Sequence, residues 1–109
     1  MMLFRFEPNH DYQPSPEELA QQRQQWGSFI GNLAIKEKLV STNQLGSGGK
    51  QLHADHTIRE GVNISDGHML GGNMIVKANT LDEAIEMAKD CPILTMGGTV
   101  EVRDIIPMG

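Results

Sequence analysis

From Met2 to Phe6 the chain alternates, with Met2, Phe4 and Phe6 on one side and Leu3 and Arg5 on the other, the two-residue period of a strand. A loop follows over Glu7 to Pro14. Ser15, Pro16 and Glu18 then form a helix start, because a serine cap and a glutamate three residues on satisfy free backbone donors. Leu19, Trp26, Phe29, Ile30 and Leu33 recur at helical spacing, so an amphipathic helix is predicted to end between Lys36 and Val40.

A short extended piece at Leu39 to Thr42 precedes the flexible run Leu45-Gly46-Ser47-Gly48-Gly49. Leu52, Ala54, His56 and Ile58 alternate with His53, Asp55 and Thr57. A turn at Arg59-Glu60-Gly61 leading into Val62 to Ser65 would complete a hairpin. Asp66 to Gly72 reads as a second loop, and Asn73 to Ala78 as a strand. Thr80 with Glu83 opens a second helix, striped by Leu81, Ala84, Ile85 and Ala88 and stopped before Pro92. Thr99 to Ile105 is the last strand. The order β-α-β-β-β-α-β predicts an α+β fold, a ferredoxin-like split-βαβ antiparallel sheet with both helices on one face. The expected core face is Phe4, Phe6, Val62, Ile64, Met74, Val76, Val100 and Val102. The other face would carry Arg5, Asn63, Ser65, Lys77, Glu101 and Arg103, joined by His53 and Asp55. Two readings of that polar face stand open: a solvated surface, or the lining of a cavity closed by an identical subunit.

Length and composition narrow the function. A chain of 109 residues is expected to form one domain. Only 39% of it is hydrophobic and 5% aromatic, a thin core that burial against a second copy would help. The net charge of −5 argues against phosphate-backbone binding, so no nucleic acid is expected. No apolar run approaches the roughly 20 residues that span a bilayer, and no signal-peptide core follows Met1, so a cytoplasmic protein without membrane attachment is expected.

Chemistry concentrates at His53, Asp55, His56, Asp66 and His68, where imidazoles that titrate near neutrality stand beside carboxylates able to hold their tautomers. On a strand, His53 and Asp55 would face the cavity and His56 would pack, an order that a register slip or bulge reverses. His53-x-Asp55-His56 supplies metal-type ligands, but the two imidazoles diverge on an extended chain, so no metal and no cofactor is assigned. Cys91 reads as a small apolar filler and Trp26 as a core or interface anchor. The glycine pairs lack the spacing of a nucleotide fingerprint and read as turns.

Ser65-Asp66-Gly67-His68, Gly71 to Val76, Leu81 to Ala84, Cys91-Pro92 and Gly97 to Arg103 together resemble the YCII-related family, and in particular its DGPF branch. The resemblance implies a dimeric α+β barrel in which two ferredoxin-like sheets face each other, and so favours the cavity. In some members a histidine of the first helix and an aspartate before the proline ending the second form a catalytic pair. Here the first helix has no histidine, Cys91 precedes Pro92, and His68 and Met69 stand where that branch has Pro and Phe. The expectation is therefore a homodimer holding a small-molecule ligand between the polar face and the Asp66 to Gly72 loop. His68 and Asp66 would do acid–base work there, with His53, Asp55, His56, Arg5 and Arg103 binding the ligand. A non-enzymatic binding or regulatory module is the alternative.

Overall fold

The computed structural model describes residues 1–8 and 15–107. Of the expected loop Glu7 to Pro14, residues 9–14 lie outside the described residues. Strand β1 (Met2–Phe6) is followed by helix α1 (Pro16–Ile35) and strand β2 (Leu39–Gln44). Next come the short strands β3 (Lys50–Leu52), β4 (Ile58–Glu60) and β5 (Ile64–Ser65), then the long β6 (His68–Val76). Helix α2 (Leu81–Ala88), a 3-10 helix at Pro92–Met96 and strand β7 (Thr99–Val102) complete the order.

The main sheet runs β2-β6-β1-β7, with β5 extending the β2 edge of β6, and every pairing is antiparallel. β1 and β2, joined through α1, are split by β6, which is the ferredoxin-like arrangement expected from the element order. Both helix starts form as read. The Ser15 hydroxyl oxygen accepts from the Glu18 amide at 3.2 Å, and Thr80 Oγ1 accepts from the Glu83 amide at 3.1 Å. α1 ends where Glu37 takes a left-handed conformation, with the Glu37 amide donating to Ala34 O and the Lys38 amide to Leu33 O, a closure that caps the last carbonyls.

The core lies on one side of the sheet. Met2, Phe4 and Met74 pack with Phe29 and Leu33 of α1, Ala88 of α2, Cys91 and Ile93. Trp26 half-fills the same layer, its ring edge-on to Phe4 and Phe29 at centroid distances of 5.4 and 6.1 Å. Phe6, Val76, Val100 and Val102 pack against this cluster as expected. Val62 and Ile64 do not belong to it: Val62 precedes β5, its side chain 2.9 Å from where a Cβ of Gly49 would sit, and Ile64 sits on the sheet edge, half exposed. Cys91 is 1% exposed, and its burial raises the thiol pKa, as the filler reading requires.

Two turns differ from the sequence expectation. The middle hairpin reverses at His53 to Thr57, not at Arg59 to Gly61, and pairs Lys50 with Glu60 and Leu52 with Ile58. The reason is local. Asp55 Oδ1 accepts from both the Thr57 amide and the Thr57 hydroxyl, at 3.0 and 2.6 Å, an Asx-type turn that outcompetes the alternating pattern. Asp66 to Gly72 is also no loop. Asp66 and Gly67 both have positive φ, 53° and 76°, and Ser65 pairs with His68, so they are the two central residues of a tight hairpin turn. β6 then runs uninterrupted through Gly71 and Gly72.

Those two glycines sit where β6 is most crowded. A Cβ on Gly72 would lie 2.7 Å from the Asn43 carbonyl oxygen of β2, and one on Gly71 would run into the Phe6 ring. The β1–β6 register shifts there, between the pairs Phe4–Gly72 and Arg5–Leu70, a bulge of the kind that glycine in a strand marks. Gly72→Ala should therefore destabilise the fold by about 1–3 kcal/mol, the usual range for overpacking. Thermal unfolding should show a Tm several degrees lower, and an unchanged Tm would mean that β2 yields freely.

Candidate functional site

Because the helices cover one side of the sheet, the residues that alternate with the core ones define the other. Arg5 lies between Phe4 and Phe6, and Glu101 between the core-packed Val100 and Val102. Arg5 Nη2 approaches Glu101 Oε1 at 3.8 Å, and Arg103 Nη1 approaches Glu101 Oε2 at 3.6 Å. Glu101 is thus shared by two guanidiniums on the open face. The bulge at Gly71 places Arg5 beside Leu70.

The base of the β3–β4 hairpin bends over this point. The Gly61 amide donates to Gly49 O at 2.8 Å, and the Gln51 side chain reaches Gly61 O at 3.4 Å, closing the base. Between that base and the sheet lies a half-open cavity of about 440 Å³, within the size range of small-molecule sites. Arg5 and Leu70 line it from the sheet, Lys50 and Gln51 from β3, Val62 and Asn63 from the chain leading into β5, and the Leu45 to Gly49 segment completes its rim. Lys50 also pairs with Glu60 at 3.5 Å, on exposed side chains.

A larger cavity, about 680 Å³, lies on the far side between α1 and α2. Its floor is the core itself, at Phe29 and Leu33, and its charges oppose one another: Lys38 and Glu83 meet at 3.5 Å within it. With offsetting charges and no convergent polar set, it reads as the solvated groove between two helices.

Of the residues singled out from sequence, Arg5 lines the sheet-side cavity and Arg103 joins it through Glu101. His53, Asp55 and His56 are in the hairpin turn, off the main sheet. The expected order is reversed there: His53 is half-buried and His56 exposed, its backbone turned to a φ of 70°. His53 Nε2 is buried with no partner among the described residues. Asp66 is the first central residue of the tight turn and His68 follows it, with His68 Nδ1 3.0 Å from the Asp66 carbonyl oxygen. A carbonyl only accepts, so Nδ1 carries the proton and Nε2 is left as the basic nitrogen. Among the described residues, no three His, Cys, Asp or Glu side chains gather to hold a metal ion. No described helix is long and apolar enough to cross a membrane. Sequence reasoning missed Lys50 and Gln51. The visible signal was the glycine-rich run ending at Lys50, whose return to Arg5 is a tertiary fact.

Along residues 1–109 the chain matches the family profile of the YCII-related domain, and it belongs to that family. No curated protein matches it.

Two predictions separate turn chemistry from catalysis. Asp66→Asn should leave thermal stability within about 0.5 kcal/mol, since Asn is equally suited to the first turn position, while Gly67→Ala should cost about 1 kcal/mol or more at its positive φ. Any loss of function in a stable Asp66→Asn protein then belongs to the carboxylate. At the other turn, hydrogen bonds from Thr57 hold the Asp55 carboxyl below its ordinary value of 3.8. A depressed folded pKa stabilises the turn at all pH above 3.8 and loses that contribution as pH falls through the lower folded value. The Thr57 amide resonance should accordingly titrate with its midpoint below that pH, and should lose this titration in Asp55→Asn.

Proposed function

We propose that this member of the YCII-related family binds a small molecule on the open face of its sheet, in a chamber completed by a second copy. The observation that carries this reading is the cavity at Arg5, walled by the sheet and by the hairpin base. It has the volume of a ligand site, a few polar side chains and apolar walls at Leu70 and Val62, the usual make-up of such sites. It is also open toward the side of the sheet that has no covering layer.

The dimensions of the chain support the second copy. Its extents are 46 × 44 × 20 Å, and 20 Å is one helix layer on one sheet. The radius of gyration, 15.6 Å, exceeds the about 13 Å of a compact domain of this length. A flat slab with one sheet face bare suits face-to-face pairing, which would place two cavities in a shared interior, as in the dimeric α+β barrel of the DGPF-like reading.

Binding is the better-supported activity. Among the described residues, the cavity lining holds Arg, Lys, Gln and Asn but no His, Asp, Glu or Cys to act as general acid, base or nucleophile. A catalytic form of the reading gives acid–base work to His68 and Asp66. Its support is the contact that fixes the His68 tautomer and leaves Nε2 with no partner among the described residues.

Light scattering should give twice the 12.0 kDa of one chain at micromolar concentration. Native mass spectrometry after exposure to a metabolite extract should show a retained small molecule, lost in Arg5→Ala while the dimer persists. A monomer removes the chamber, and retention unaffected by Arg5→Ala removes the site. Turnover of the retained compound that disappears in His68→Ala, with an unaltered Tm, would select the catalytic form, and retention without turnover the non-enzymatic one.

A further inference from the structure

We infer that the sheet-side cavity selects organic anions, in the first place small carboxylates with an apolar body; this rests on the reading of that cavity as the ligand site. The chain carries a net charge of −5, yet among the described residues this cavity is lined by two cations, Arg5 and Lys50, and by no carboxylate. Acidic residues outnumber basic ones fourteen to nine along the chain, so a rim with only positive charge runs against the composition.

The two cations come from different layers. Arg5 stands on β1 of the main sheet and Lys50 opens β3 of the hairpin, so a ligand that fills the cavity they both line rests on sheet and arm together. Each cation has one carboxylate partner outside the cavity lining, and both pairs are exposed. Arg5 meets Glu101 only at 3.8 Å, with side chains 34% and 46% exposed, and Lys50 meets Glu60 at 3.5 Å, with side chains 67% and 80% exposed. Exposed pairs at such distances contribute little, and a ligand carboxylate that a guanidinium grips through two hydrogen bonds competes well against them.

The remaining lining fixes the rest of the ligand. Leu70 and Val62 offer apolar surface to a hydrocarbon body, while the Gln51 and Asn63 amides, which already donate one N–H to Gly61 O and to Ser65 Oγ, each keep a second N–H and an oxygen. Access is open at the rim: nothing lies within 4 Å of where a Cβ of Gly46 or Gly48 would sit.

Three probes of one shape separate the classes: phenylacetate, phenylacetamide and phenethylamine, titrated into the full-length protein and followed by the backbone amides of Gly46, Gly48 and Gly49. Phenylacetate should move these resonances saturably and bind about tenfold more tightly than the neutral amide, with phenethylamine weakest. Arg5→Gln and Lys50→Gln should each erase most of that preference, and Arg5→Lys, which keeps the charge but not the fork, should restore part of it. Equal binding of phenylacetamide and phenylacetate, unaffected by Arg5→Gln, would overturn the anion class while leaving a small-molecule site. If no probe moves the glycine amides of a folded protein, the cavity is no site, and the underlying reading falls with it.

Discussion

At the middle of β6 the sheet leaves no room for a side chain. The Asn43 carbonyl of β2 comes from one side and the Phe6 ring of β1 from the other, so Gly72 and Gly71 are what allow three strands to meet there. The extra residue this requires is absorbed as a bulge between Phe4 and Arg5. The consequences run both ways along β1. Toward Met2, side chains alternate and build the core with Met74; past the bulge the alternation of β1 continues, and Arg5 stands beside Leu70 where an unshifted register would give Gly71. Backbone crowding thus decides which β6 residue stands beside the one charged side chain of the first strand.

The main buried cluster lies on the helix side: Met2, Phe4, Met74, Phe29, Leu33 and Cys91 form one layer. Methionine suits the gap between sheet and helices because it bends to fill irregular space, and the chain has few aromatic residues with which to fill it otherwise. The opposite face holds Arg5, Glu101 and Arg103 in a shared ion cluster, with Leu3 and Ile75 only half-buried. Such a face is stable in water, which is why an antiparallel sheet can leave it bare, and it is equally a face on which a polar ligand site can be built.

The long-period features were legible in the sequence: both helices, their caps, β1, β7 and the split-βαβ order follow from spacing that tertiary packing reinforces. The middle of the chain was not. His53 to Ile58 alternates like a strand, but Asp55 and Thr57 carry a local hydrogen-bond option that ends the strand at Leu52. Asp66-Gly67 is a strong two-residue hairpin signal, obscured by the glycines at 71 and 72, which suggested a continuing loop and instead mark a bulge inside β6. The site suffered most. Arg5 was legible because alternation put it opposite Phe4 and Phe6. Lys50 was not, because its approach to Arg5 depends on how the hairpin base folds back, and no periodicity encodes that.

That hairpin also links stability to occupancy. A two-stranded ribbon alone is marginal in water, and the cross-strand pair Leu52–Ile58 is left 73% and 65% exposed. What holds the arm is its base: the Gly61–Gly49 bond, the Gln51–Gly61 bond and the packing of Val62 on Gly49. The cavity wall is therefore held by few contacts, as elements of low local stability are. A molecule that engages Arg5 and Lys50 together bridges the rigid sheet and the marginal arm. By linkage it stabilises the closed arrangement in proportion to its preference for it. Since the arm closes only one side of the cavity, a second chain over the bare face would act on the same equilibrium, and on the proposed reading pairing and ligand binding would then reinforce each other without any change in the core.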